Sequence, residues 1–270
     1  MALSNTTLLP DERLDRINEQ LTLIQKKNGL TFGTDALLLS AFVRTQKRAQ
    51  CVDLGSGTGV IPLLLSAKEK IARGVALEIQ PAFVELIDRN VALNGLQSRL
   101  SSLAGDVRTL RIKELEPFFW EKSAYADIVT ANPPYMRANA GARNRDDEKY
   151  IARHEVAGDI GDFCACAGRI LRSGGSFYCV YRPDRLADLM RALAANHLEP
   201  KRMAFVHADA ESEPSTVLIE ARLDGAPSCK LLPPLLLHEV DSRNLPHRPL
   251  TARAQHIYDT LNWYDTEEGS

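Results

Sequence analysis

At 270 residues with a formal charge of −2, the chain is long enough for one α/β domain with appendages and a full apolar core, so no disulfide or metal staple is needed. The near balance of charge excludes a blanket basic surface, and any contact with nucleic acid must rest on local clusters of Lys and Arg. The five cysteines, Cys51, Cys164, Cys166, Cys179 and Cys229, include no Cys-x-x-Cys pair and mostly sit in apolar contexts. They read as reduced core thiols of a cytoplasmic protein. The first 25 residues mix charged and apolar positions, unlike a signal peptide, and no apolar run approaches the length of a membrane span.

Leu14, Ile17, Leu21 and Ile24 fall at a spacing that fits a helix or a short strand. Residues 29–42 then read as a loop with two glycines, a cap at Thr34 or Asp35, and an apolar helix reaching Val43. Arg44, Lys47 and Arg48 follow it, favourable at the negative end of the helix dipole. An ordinary capped helix over a sheet edge would read the same way.

Residues 51–62, Cys-Val-Asp-Leu-Gly-Ser-Gly-Thr-Gly-Val-Ile-Pro, predict a buried strand, a glycine turn and a helix. The glycines allow a tight turn and a close approach to a ligand, with a helix N-terminus behind it. The pattern is Gly-x-Gly-x-Gly preceded by Asp53, which differs from the dinucleotide Gly-x-Gly-x-x-Gly. An acid just before the turn is awkward for a pyrophosphate and suits a cationic or ammonium-bearing ligand such as S-adenosylmethionine.

The next strand, Gly74 to Glu78, ends in a carboxylate 23 residues after Gly55, where a ribose-binding acid is expected; a surface strand-end charge is the alternative. Pro81 opens a helix through Asn94 that stops at Gly95. A strand from Leu100 to Ala104 ends at Gly105-Asp106. Asp106 is either an acceptor for an adenine amine or a turn aspartate.

Asp127 to Ala131 reads as a short strand cut off by Pro133 and Pro134, which leaves Asn132 and Tyr135 at its carboxyl edge. The Asn132 side-chain oxygen and the Pro133 carbonyl can accept hydrogen bonds from an NH2 group while Tyr135 offers a ring face. Two acceptors help a conjugated, planar nitrogen become tetrahedral as it attacks, and that help grows as charge develops. Asp53, Glu78, Asp106 and Asn132 are 25, 28 and 26 residues apart, each interval one βαβ unit, which puts all four on one edge of a parallel sheet.

Beyond Tyr135 apolar periodicity vanishes. A loop over the pocket is expected, in which Arg137, Arg143, Arg145, Lys149 and Arg153 contact phosphates unless the charges merely solvate it. His154 reads as a packing histidine. No metal-ligand spacing and no Ser/His/Asp order appears. A helix from Ile160 to Arg172, a strand from Ser176 to Tyr181, a helix from Pro183 to Asn196 and strands Lys201–His207 and Thr216–Leu223 complete the domain. The last two strands, joined without a helix, must be antiparallel neighbours. From Gly225 the chain is proline-rich, with at best a helix between Thr251 and Leu261.

Taken together, these motifs resemble the class I S-adenosylmethionine-dependent methyltransferases of the amino-methylating Asn-Pro-Pro-Tyr type. The run Leu30-Thr31-Phe32-Gly33-Thr34-Asp35 before the glycine turn, with Ala152-Arg153-His154-Glu155 after Tyr135, is similar to the bacterial tRNA(Val) adenine-37 N6-methyltransferases. The resemblance covers roughly residues 14–224. It implies a Rossmann-like α/β sheet of seven strands, mostly parallel with an antiparallel last strand, and helices on both faces. Residues 1–48 would be a cofactor-lid segment, 49–225 the methyltransferase domain and 226–270 a tail packed on it. Phe32, Gly33, Thr34 and Asp35 would flank the methionine end of S-adenosylmethionine, Asp53, Gly55, Gly57 and Thr58 its methionine and ribose, Glu78 the ribose hydroxyls and Asp106 the adenine. Asn132, Pro133, Pro134 and Tyr135 would present the substrate amine, with Asn132 also near the cofactor. The expected substrate is an RNA, tRNA above all, bound through the Arg137–Arg153 loop by a monomer that uses neither metal nor membrane. Two alternatives remain: a glutamine N5-methyltransferase of the release-factor type, whose helical N-terminal bundle has no room in 48 residues here, and a cofactor-binding module without catalysis.

Overall fold

The structure is a computed structural model that describes residues 7–27, 33–119, 125–134, 158–242, 245 and 248–264. A hairpin of β1 (Glu12–Arg16) and β2 (Thr22–Lys26) precedes α1 (Thr34–Phe42). Then come β3 (Gln50–Leu54), α2 (Val60–Ala67), β4 (Arg73–Glu78), α3 (Pro81–Leu93), β5 (Leu100–Ala104) and β6 (Ala126–Ala131). The chain continues through α4 (Ile160–Ile170), β7 (Leu171–Tyr181), α5 (Leu186–Ala195), β8 (Leu198–His207) and β9 (Pro214–Leu223). Two-residue strands β10 (Lys230–Leu231) and β11 (Leu235–Leu236) and helix α6 (Ala252–Thr260) close it.

Seven strands form the body of the main sheet in the order β5-β4-β3-β6-β7-β9-β8. All neighbours are parallel except at β9, which runs antiparallel to both β7 and β8. The expected sheet is therefore present, and the strand that comes last of the seven in the chain lies one in from its edge. That edge is extended by β10 and β11, which both pair with β8. Strands β3 and β6 are buried along both faces, as apolar strands with covered faces require. One face carries α1, α2 and α6 and the other α4 and α5, which splits the core into two apolar clusters. No helix among the described residues is long and apolar enough to cross a membrane.

The ambiguous N-terminal stretch is a hairpin, and the reason lies in α3. Asn90 and Asn94, one helical turn apart, present their amides to β2 as a neighbouring strand would. Asn90 Oδ1 accepts from the Ile24 amide at 2.7 Å and its Nδ2 donates to the Ile24 carbonyl at 3.2 Å. Asn94 does the same for Thr22, at 3.0 and 2.8 Å. The i, i+4 rise of a helix is close to the i, i+2 rise of a strand, so two asparagines satisfy the edge of β2. Asn90 also donates to the Thr58 carbonyl at 3.0 Å and so ties the hairpin to the glycine turn. Buried Glu12 adds a bidentate pair with Arg89, both contacts 2.8 Å, and with Lys26 these hold its carboxyl down at about 2.

Helix α1 ends against two buried cations. Lys70 Nζ donates to the carbonyls of Ser40, Ala41 and Val43 at 2.9, 2.9 and 2.8 Å. Arg202 Nη2 donates to Phe42 O at 3.0 Å, its guanidinium lying 4.3 Å from the Phe42 ring centroid. The orphan carbonyls of a helix end are thus met by positive charge where the macrodipole is negative. Glu220 balances Arg202, while burial, reinforced by Arg202, pulls Lys70 down to about 7.

Asn90→Ala leaves two carbonyls and one amide without partners in a fully buried position. The expected loss is roughly 3 kcal/mol, read as a lower urea midpoint with an unchanged slope; a loss under about 0.5 kcal/mol would show that the amide ladder does not hold the hairpin.

Candidate active site

The carboxyl edge of the sheet collects the chemistry-bearing residues because the strands that carry them are parallel neighbours in register. Asp53 pairs with Thr130 and Ala76, Leu54 with Ala131, and Glu78 with Ala104. Asn132 therefore leaves β6 directly beside the point where Gly55 leaves β3. The loops are laced together by the Ser56 amide donating to Leu77 O at 2.9 Å and the Gly105 amide donating to Glu78 O at 3.0 Å.

Asp53 is 1% exposed. Its oxygens accept from the hydroxyls of Ser56, in the glycine turn, and Thr130, on β6, the latter at 2.7 Å. Burial raises the carboxyl to about 7, against the two hydroxyl bonds and with Glu78 adding repulsion. Instead of offering a bare carboxylate to a ligand, Asp53 shapes the turn and places negative charge beneath it. Ser56 and Thr130 were missed by sequence reasoning, and the only signal was their position inside the two motifs.

Gly55, Gly57 and Gly59 all have positive φ, +65°, +57° and +80°. A Cβ on Gly55 would approach the Phe163 ring to 3.2 Å, whereas one on Gly57 would meet no atom of the described residues within 4 Å. Gly57 thus answers a conformational need over an open surface. Glu78, 5% exposed, accepts from the Gly57 and Gln80 amides, both at 2.9 Å. Burial raises its pKa against those amides. Thr58 is buried, its carbonyl held by Asn90.

Asp106 sits at the same edge, and Arg108 occupies it. Arg108 Nε lies 2.9 Å from both Asp106 oxygens and its amide donates to Oδ1 at 2.8 Å, which holds the carboxyl below its usual range. The Thr109 and Leu110 amides donate to Asp106 O, so the turn aspartate of the sequence alternative is present. An adenine amine would have to share this carboxylate. Asn132 and Pro134 are half-buried and Pro133 is buried. Phe32, Tyr135, His154 and the Arg137–Arg153 loop lie outside the described residues. Among the described residues no group of His, Cys, Asp and Glu could hold a metal.

Gly33 and Thr34 are exposed at the start of α1, and Asp35 accepts from Thr216 Oγ1 at 3.1 Å. That contact sets Asp35 in a cleft of about 680 Å³ at the ends of β7 and β9, lined also by Tyr181, Arg182, Glu213 and Pro214. Asp35 is thereby set beside β9, which lies two strands from β6 in the sheet. The cleft was not foreseen, because its walls come from segments nearly 180 residues apart in the chain.

A family model described as methyltransferase small domain matches residues 26–202. A tRNA1(Val) (adenine(37)-N6)-methyltransferase of Porphyromonas gingivalis is 27% identical over 208 residues, covering 76% of this chain and 79% of that protein. One from Parabacteroides distasonis is 25% identical over 240 residues, covering 89% and 95%. Among solved structures, a protein described as a predicted O-methyltransferase from Agrobacterium tumefaciens matches with a TM-score of 0.64 at 19% identity, covering 85% of this chain and 97% of that one. M. jannaschii TYW2 in complex with AdoMet matches with a TM-score of 0.53 at 14% identity, covering 80% and 88%. The structural matches speak for the fold, a class I methyltransferase sheet, and the family match covers well over half of the sequence: the chain belongs to the methyltransferase small domain family.

Proposed function

We propose that this protein transfers a methyl group from S-adenosylmethionine to the exocyclic N6 amine of an adenine in RNA, the substrate being a tRNA at adenine 37, as the names of its relatives have it. The observation that carries this reading is the register that brings Asn132-Pro133 out of β6 beside the glycine turn of β3. In this reading residues 1–48 lie over the cofactor, 49–225 are the catalytic domain and 226–270 pack on it.

The residues present fit the cofactor. The positive-φ glycines give a backbone open to close approach, Glu78 has lone pairs left for ribose hydroxyls, and Asp53 puts negative charge beneath the turn. When bound, S-adenosylmethionine supplies an electrophilic methyl on a cationic sulfur. Asn132 Oδ1 and the Pro133 carbonyl accept the hydrogens of the substrate amine and draw its nitrogen from planar toward tetrahedral. Tyr135 stacks the base, which must leave its helix or loop stack to reach this edge. No strong base is required, because the methylated amine can lose its proton to water. Positioning therefore dominates the rate.

The substrate class is tested by tritiated methyl transfer to total tRNA and, separately, to total protein, with nucleoside digestion of the RNA. The expected label is N6-methyladenosine; label in glutamine of the protein fraction would overturn the RNA reading in favour of the release-factor type. Asn132→Ala should cut turnover about 10²- to 10³-fold and leave cofactor affinity within a few fold by calorimetry. Unchanged turnover removes Asn132 from the chemistry.

Asp53 gives a pH dependence of definite sign. Its carboxyl is raised from 3.8 to about 7, so the folded protein favours the protonated form, and the stabilisation this brings is lost as pH rises through 7. A cationic ligand favours the ionised form. Cofactor affinity should therefore fall about 10-fold between pH 8 and 6. Asp53→Asn should flatten that dependence, weaken binding at pH 8 and leave the ligand-free protein at least as stable there. An unchanged pH profile in the variant would show that the negative charge beneath the turn plays no part in binding.

A further inference from the structure

The cleft at the ends of β7 and β9 is not used by the chemistry above, yet it opens next to it. Ala131 pairs with Cys179, so Asn132 and Pro133 continue level with Val180 and Tyr181 on a strand about 5 Å away. A base presented to Asn132 has its chain neighbour within reach of the cleft. The volume, about 680 Å³, is of the size that holds a nucleotide.

Its walls favour a base over a phosphate. Tyr181, Pro183 and Pro214 give apolar surface against which a planar ring can lie. Among the described residues that line it, the charged groups are three carboxylates, Asp35, Asp184 and Glu213, and the guanidinium of Arg182. That guanidinium is spent on Asp184, with Nε to Oδ1 and Nη2 to Oδ2 both 2.8 Å. With that pair matched, the exposed carboxylate of Glu213 is poorly suited to a phosphate. Glu213 is exposed and has no hydrogen bond or ion pair with any described residue, while Asp35 is oriented by Thr216. Carboxylates accept from base amines and are repelled by base carbonyls. Cytosine presents N4–H2 where uracil presents O4.

We propose that this cleft is a subsite for the nucleobase immediately 5′ of the target adenine, and that Glu213 within it selects an amine-bearing pyrimidine, cytosine, over uracil. The inference rests on the RNA reading above. In a tRNA modified at adenine 37 the 5′ neighbour is the last anticodon base, and a valine anticodon must end in cytosine to pair with the G that opens every valine codon.

The test uses hairpin RNAs that differ only in the base 5′ of the target adenine, C or U, with the full-length protein and its Glu213→Gln variant. Wild type should methylate the C-flanked RNA about 10-fold more efficiently in kcat/KM than the U-flanked one. Glu213→Gln should shrink that ratio to about threefold or less, leaving cofactor affinity by calorimetry unchanged. Equal use of the two RNAs by wild type, or a full preference retained in Glu213→Gln, overturns the subsite. Binding of the same RNAs, followed by fluorescence anisotropy, separates the two readings. A preference for C in binding without methyl transfer supports the cleft and overturns the transfer reading, whereas transfer with no preference in either measurement overturns the cleft alone.

Discussion

The site is organised by one buried carboxylate. Asp53 is the last polar group before β3 ends, and its two hydroxyl partners come from the glycine turn and from the adjacent strand. A single side chain therefore sets the turn against the strand that delivers Asn132. An ionised carboxyl at 1% exposure is costly, and burial has already moved it to about 7. Glu78, also buried and on the neighbouring strand of the same edge, adds to the same negative region. The concentration of unfavourable charge is what a cationic ligand relieves, so poor electrostatics in the ligand-free fold and good electrostatics for binding have one origin.

Helix α1 is held by the opposite device. Lys70 and Arg202 put positive charge on its carboxyl end, and the C-terminal segment packs along it, with Trp263 edge-on to the Phe42 ring at 5.1 Å and Tyr264 OH accepting from Arg202 at 2.8 Å. At the other end of the helix, Tyr258 of α6 hydrogen-bonds Thr34. Both ends of α1 are thus fixed by residues far away in sequence, and with them the corner formed by Gly33, Thr34 and Asp35.

The sheet was legible in the sequence because each parallel strand is a short apolar run that ends in a polar residue of a recognisable motif. Asp53, Glu78 and Asp106 recur at intervals set by one βαβ unit; Asn132 follows at a like interval, although the described residues between β5 and β6 hold a 3-10 turn in place of the expected helix, and the register brings all four strand ends to one edge. Features built from long-range partnership were not legible. The hairpin at residues 12–26 depends on two asparagines of α3, and β10 and β11 are two-residue pairs beside prolines that carry no periodicity. Asp106 was legible as a position but not as a partnership, since nothing in the motif announces that Arg108 two residues on will cover it.

Asn90 gives the hairpin a meaning beyond packing. The same amide that holds the backbone of Ile24 also holds the carbonyl of Thr58. Anything that tightens the glycine turn thereby tightens the grip on β2, and by reciprocity an ordered hairpin favours the geometry in which the turn receives its ligand. The N-terminal ribbon is in this sense tied to the turn through one asparagine, and amide exchange in β2 is expected to slow when a ligand settles against Gly57.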